Sequence, residues 1–293
     1  MKTLCFWLCL SLAASAQVKV VTLHPLLTNL LQNIGGEHVI IIDLIGKTGD
    51  PHHFEPDAQQ LKSTAAATLY FVSGKGLEPY LPTLKSIVGT SAKVVEVGAT
   101  LPSRESSCTH SEHEHAGEHH HGVDPHWWHS IENFRRATQV VCAELVLADP
   151  GHKAVFEKNA AQYRMRLEEL DRWARREIAR IPKENRHLAT AHDAFGYFCD
   201  DYHFTAFPVQ GINREQTPAT AELAALVKTL KDHHVVAIFP EKESNPKILA
   251  TLTKDSGIVL AEPLIADGTN VDSYEEMIRR NIGAIVKVLA PKR

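Results

Sequence analysis

The sequence predicts an α/β protein of two lobes, each with a mostly parallel sheet, joined by a long rigid helix. Three observations predict it. Short β-branched runs alternate with helical patterns over the first part of the chain, the same alternation resumes over the last part, and one uninterrupted amphipathic run lies between them. A chain of 293 residues is long enough for two domains of ordinary size. A composition of 44% hydrophobic and 23% charged residues is that of a folded chain rather than a disordered one. The formal charge of -4 leaves no basic footprint, so nucleic acid is not an expected partner.

Residues 1–16 read as an export signal. Lys2 supplies the positive start, Leu4 to Leu12 the short apolar run, and Ala14-Ser15-Ala16 the small-residue cleavage site, so the mature chain is expected to begin at Gln17. The apolar run is too short to span a bilayer. Cys5 and Cys9 lack the small residues that precede a lipid-attachment cysteine, so the expected product is soluble and exported, periplasmic or otherwise extracytoplasmic. Cys108, Cys142 and Cys199 then remain. An odd number leaves at least one thiol unpaired, and a Cys142–Cys199 bridge stays open on sequence grounds.

The first lobe is expected over 17–150. Val18–Leu23 reads as a strand, Pro25–Ile34 as a helix stopped by Gly35-Gly36, and Val39–Leu44 as a second strand. Ala58–Ala66 is helical, Thr68–Val72 a strand, Leu77–Ile87 helical and Lys93–Val97 a strand. Residues 102–123 break the rhythm. They are rich in Ser, Glu, His and Gly, and read as a mobile insertion with too little apolar surface to order itself.

The connecting helix is expected within 151–182, between Pro150-Gly151 and Pro182. From about Lys153 to Ile181 it places Phe156, Ala160, Tyr163, Leu167, Leu170, Ala174 and Ile178 on one face. Such a helix runs on the order of 40 Å and reads as a structural spine, with no other long helices expected beside it. The second lobe, 183–293, resumes with strands at His187–Ala191, Phe204–Val209, Val235–Phe239 and Ile258–Ala261. Its helices are expected at Ala194–Tyr202, Pro218–Lys231, Pro246–Asp255 and Tyr274–Leu289. Sites in such folds lie beyond the carboxyl ends of strands, often between domains.

Histidine carries the chemistry. There are 18 in all, and residues 110–121, HSEHEHAGEHHH, hold His110, His113, His115, His119, His120 and His121. That tract suits loose metal capture. Two stiff turns are a different kind of object: Asp50-Pro51-His52 and Asp124-Pro125-His126. Proline fixes its own φ and restricts the residue before it, so each turn aims a single histidine. His52 ranks above its neighbour His53 on that ground. His192 ends the strand pattern His187–Ala191, with Asp193 beside it as a helix cap or a partner for the ring.

Two strand-end carboxylates, Glu262 and Glu241, are candidates for a fourth position; Asp267 or a water also remains open. Three imidazoles and one carboxylate make an N3O set, which suits tetrahedral zinc better than oxygen-preferring manganese. His24 and His129 read as lining residues rather than ligands, and Trp127 and Trp128 as packing around the site.

Four motifs make a resemblance specific: Asp50-Pro-His-His-Phe-Glu-Pro56, Asp124-Pro-His-Trp-Trp128, Thr190-Ala-His-Asp-Ala-Phe-Gly-Tyr197 and Phe239-Pro-Glu-Lys-Glu-Ser-Asn-Pro-Lys247. In these the chain resembles the zinc/manganese-binding solute receptors of bacterial ABC transporters, the cluster A-I family. The resemblance implies two α/β lobes joined by a rigid helix with one metal between them, and ligands at His52, His126 and His192. It implies a fourth, carboxylate ligand in Leu260-Ala-Glu-Pro-Leu264, where Glu262 stands and many relatives carry Asp. Zinc-type members have His at the third position and often a His-rich loop where 110–121 lie; manganese-type members tend to have Glu there.

The expected function is therefore high-affinity zinc capture and delivery to a membrane permease, by a monomer and without covalent chemistry. Release is expected to begin at the carboxylate side. An exported zinc hydrolase and a metal-buffering adhesin are the alternatives. The first lacks an HExxH helix, and the second would make the tract the working part.

Overall fold

In the computed structural model the described residues are 17–105, 122–210, 220–241, 246–254 and 256–291. The signal segment, Cys108 and the six tract histidines, His110, His113, His115, His119, His120 and His121, lie outside them.

The first lobe is built on four parallel strands, β1 (Val18–Thr22), β2 (Val39–Asp43), β3 (Leu69–Val72) and β4 (Lys93–Glu96), in the order β2-β1-β3-β4. Helices α1 (Pro25–Gly35), α2 (Ala58–Ser63) and α3 (Leu81–Val88) make the crossovers. Pro25 opens α1 where a missing N–H costs nothing, and the Nδ1 of His24 accepts from the Leu26 N–H to cap it. A full capping box starts α2: Asp57 accepts from Gln59 and Gln60, and Gln60 accepts from the Asp57 N–H. Strand alternation then divides the apolar residues. Val18 and Val20 join the central core, whereas Val21 joins an outer one with Tyr70, Val72 and Leu84.

Two long helices follow, α4 (Ile131–Ala148) and α5 (Lys153–Ile178). The 26 residues of α5 span about 39 Å, and all seven apolar positions expected on one face are buried. The spine is not isolated, contrary to the sequence expectation. It packs against α1, against the 18-residue α4 and against the 16-residue closing helix. The reason is the apolar face of α4, with Ile131, Phe134, Ala137, Val141 and Leu145, which needs a partner as long as itself.

The second lobe repeats the first. Strands β5 (His187–Thr190), β6 (Thr205–Pro208), β7 (Ala237–Phe239) and β8 (Val259–Leu260) are parallel in the order β6-β5-β7-β8, with α6 (Gly196–Tyr202), α7 (Thr220–Asp232) and α8 (Pro246–Lys254) between them. Helix α9 (Tyr274–Leu289) returns to pack on α5 and α1. One core therefore runs from Val20 and Phe71 through Phe134, Leu167 and Tyr274 to Leu188 and Phe239, under both sheets. Phe134 and Tyr274 stack at 3.6 Å in its middle.

Cys142 and Cys199 are both buried and both free, so no bridge joins them. Among the described residues no helix is long and apolar enough to cross a membrane.

The shared core gives a stability prediction. Leu167 is fully buried on α5, whereas Met165, two positions earlier, is 58% exposed. Leu167→Ala is expected to cost about 3 kcal/mol by loss of burial and cavity formation. Met165→Ala should stay within about 0.5 kcal/mol of the parent. Urea unfolding of the metal-free protein reads both, and equal losses would contradict the burial pattern.

Candidate metal centre

Both sheets place their carboxyl ends toward one cleft, and four loops meet there. His52 lies in the loop after β2, His126 between β4 and α4, His192 directly after β5, and Asp267 in the loop after β8. One ligating atom from each of these four lies within 4.8 Å of the others. The Nε2 atoms of His52 and His126 are 3.2 Å apart, and the His52 Nε2 is 3.7 Å from the Asp267 Oδ1. A tetrahedral ion with bonds near 2.0–2.1 Å holds its ligands about 3.4 Å apart, so the spacing fits such an ion.

The two Asp-Pro-His turns have the same local cause. Asp50 Oδ1 accepts the His52 N–H at 2.9 Å, and Asp124 Oδ1 accepts the His126 N–H at 2.9 Å. In each, an aspartate folds its own backbone two residues on, and the proline between them limits the conformations left. The pair differs at the ring. Asp124 Oδ1 also takes His126 Nδ1 at 2.9 Å, and both side chains are essentially sealed from solvent. This puts the proton on Nδ1 and directs the Nε2 lone pair into the cleft.

The second lobe reaches the same result from residues far apart in sequence. Glu241, just beyond β7, accepts the His192 backbone N–H at 3.2 Å through Oε1 and His192 Nδ1 at 2.5 Å through Oε2. Glu241 is thus the partner that aims a histidine. It is not one of the four converging residues. The sequence offered Asp193 for that role, and Asp193 is buried beside His192. The signal for Glu241 was its place at the end of a strand neighbouring β5, which only the sheet order makes visible.

Glu262 is elsewhere. It is exposed and paired with Lys287 of α9. The physical reason is that β8 is short and lies at the sheet edge, with Val259 and Leu260 about half exposed, so the residue just after it faces solvent. The chain then turns inward. Leu264 N–H donates to Pro240 O, Asn281 brackets Ile265 through its N–H and C=O at 2.8 Å each, and Trp128 Nε1 donates to Ala266 O at 2.7 Å. Gly268 has φ +72°, and a Cβ there would lie 2.5 Å from Leu26 of the other lobe, so only glycine permits this approach. The chain on either side of Asp267 is therefore fastened in place.

The remaining candidates line the site. His53 is exposed and outside the four. His24 packs on Trp128 at 4.5 Å, and His129 on Phe195 at 4.3 Å. Burial lowers the pKa of both to about 3, and burial likewise lowers that of His126 below its ordinary value, against the opposing pull of Asp124. Neutral imidazoles are what a metal needs. Trp127 and Trp128 are buried, with Trp127 Nε1 bonded to Ser73 Oγ, and they pack around the cleft.

Comparison with known proteins identifies the family. Residues 20–288 match the family model described as zinc-uptake complex component A, periplasmic. The manganese-binding lipoprotein MntA of Bacillus subtilis is 31% identical over 289 residues, 94% of this chain and 91% of MntA. The periplasmic zinc-binding protein TroA of Treponema pallidum superimposes with a TM-score of 0.82 at 26% identity, over 94% of this chain and all of the TroA chain. Fe(III)-bound YtgA of Chlamydia trachomatis superimposes with a TM-score of 0.80 at 26% identity, over 93% of this chain and 98% of the YtgA chain. The chain belongs to the zinc-uptake component A family, the metal-binding solute receptors of ABC transporters, which are not enzymes.

Proposed function

We propose that this protein is an exported receptor that captures one zinc ion between its lobes and delivers it, as a monomer, to an ABC permease for uptake. One observation carries the reading: three imidazole nitrogens and one carboxylate oxygen, drawn from both lobes, converge within 4.8 Å. In this reading the ligands are His52, His126, His192 and Asp267. Four protein ligands and no open position favour capture over catalysis. The N3O set supports zinc over manganese, which prefers more oxygen ligands and a higher coordination number. Manganese is the second reading, favoured by the name of the relative MntA.

The signal segment ending at Ala16 supports export with a mature start at Gln17. The tract histidines His110, His113, His115, His119, His120 and His121 are proposed as an accessory collector that feeds the cleft and is dispensable for tight binding.

Equilibrium competition between zinc and manganese, on protein lacking residues 110–121, tests the whole reading. One tightly held zinc is expected to remain, and equimolar manganese should not displace it. Loss of tight stoichiometric binding would move the function to the tract, and displacement would make manganese the cargo.

Single substitutions test the ligand set. His52→Ala, His126→Ala, His192→Ala and Asp267→Ala are each expected to weaken zinc binding by at least about 100-fold, more than removal of a ligand's supporting carboxylate costs. Glu262→Ala should leave the affinity within about twofold, as for an exposed ion pair. Titration calorimetry with a competing chelator separates these outcomes.

The pH dependence has a definite sign. Burial lowers the His126 pKa below 6.5, so at pH 7 that ring is neutral before metal arrives. Protons compete with zinc for it only at lower pH. Affinity is expected to hold from pH 8 to about 6.5 and to decline below that. A rise in affinity on acidification would contradict imidazole ligation.

A further inference from the structure

The described residues on either side of segment 106–121 reach the metal centre. Glu105 and Val123 form an antiparallel bridge, and the Asp124 N–H donates to Arg104 O at 2.8 Å, so residues 104–105 and 123–124 lie side by side. Lys75 holds the approach to these residues by donating to Leu101 O and Ser103 Oγ. From the other lobe, the Tyr197 hydroxyl accepts the Arg104 N–H at 3.0 Å and reaches Asp124 O at 3.2 Å.

The side chain of Arg104 spans the same gap. Its Nε donates to Asp200 Oδ2 of α6 at 2.8 Å, and its Nη1 lies 3.4 Å from Asp124 Oδ2. The opposite oxygen of that carboxylate, Oδ1, holds both N–H groups of His126. A sealed carboxylate needs a compensating charge, and the guanidinium supplies one from a site only 18% exposed. Gly196, the first residue of α6, makes room for it. A Cβ at that position would lie 2.2 Å from Arg104 Nη1, 2.5 Å from its Cζ and 2.7 Å from Asp124 Oδ2, so any larger residue forces the guanidinium away.

We propose that Arg104 is a positioning residue for metal retention: through Asp124 it fixes His126, and through Asp200 it ties that support to the opposite lobe, so that separating the lobes loosens a ligand. This rests on the reading of the cleft as a metal receptor. Arg104 touches no ligand directly. Its effect is on how long the ion stays.

Zinc release from the full mature protein, followed by stopped flow with excess chromophoric chelator, tests it. Arg104→Gln is expected to speed release about tenfold, the low end for groups that orient ligating histidines. Asp124→Asn should speed it more, and the double variant should be no faster than Asp124→Asn alone, because Arg104 acts through Asp124. Gly196→Ala should resemble Arg104→Gln, and Arg104→Lys should restore part of the loss. Asp200→Asn, which leaves both the guanidinium and Asp124 in place, should also speed release and serves if Arg104→Gln does not fold. A wild-type rate in Arg104→Gln or, failing that variant, in Asp200→Asn, or multiplied effects in the double variant, would overturn the proposal. Failure of the wild-type protein to hold one zinc would instead sink the receptor reading beneath it.

Discussion

The structure depends on one repeated interaction: a sealed carboxylate that takes two N–H groups from a single histidine. Asp124 does this for His126 and Glu241 for His192. Each pairing fixes backbone and ring together, so the Nε2 direction is set by the sheet and not by a free rotamer. Buried carboxylates are costly unless charge is balanced. Asp124, Glu241 and Asp267 bring negative charge to one sealed place, and His24, His126 and His129 are kept from protonating by burial. Arg104 returns one positive charge. A divalent cation bound in the cleft would return two more.

That arrangement follows from topology. The two sheets share one strand order, with the first strand of each lobe between its second and third. Loops beyond the carboxyl ends of such strands converge. Each converging residue stands alone on its loop, so one substitution changes the donor set without disturbing the sheet. Solved relatives named for zinc and for Fe(III) on closely similar frames are consistent with this. In the proposed reading metal choice rests with four side chains and their supports, which is why it is argued from donor chemistry and not from the fold.

Much of this was legible in the sequence. The 2- and 3.6-residue periods placed the strands and helices to within a few residues, because both are local consequences of which face is buried. His52 and His126 were legible because proline stiffens the chain beside them, and His192 because it ends a strand. Asp267 was not. It follows β8 by several residues of irregular chain, and its position comes from Trp128, Asn281 and the Gly268–Leu26 contact, all distant in sequence. Glu262 misled because strand-end position is informative only inside a sheet, and β8 is an edge strand. The partners of α5 were missed because α4 follows so closely on the Asp-Pro-His turn that its apolar face was hidden behind the more conspicuous motif.

The fastening of the chain beside Asp267 bears on how release would work in the proposed receptor. The Asp267 segment is stitched to the first lobe through Trp128 Nε1 to Ala266 O, Asn270 N–H to Lys47 O, and Tyr274 N–H to Asn29 Oδ1. The Tyr274 hydroxyl also donates to Trp128 O, two residues from His126. The backbone around Asp267 cannot move away without breaking bonds that also anchor the His126 side. Beneath the cleft, the continuous core through Phe134, Leu167 and Tyr274 opposes a wide hinge. Small relative shifts of the lobes would act on every cross-lobe bond at once. Ligands supported from across the cleft feel such shifts first. The docking energy of a permease then need only move the lobes slightly to weaken several bonds to the ion together, which is a cheaper path than extracting one ligand from an otherwise intact shell.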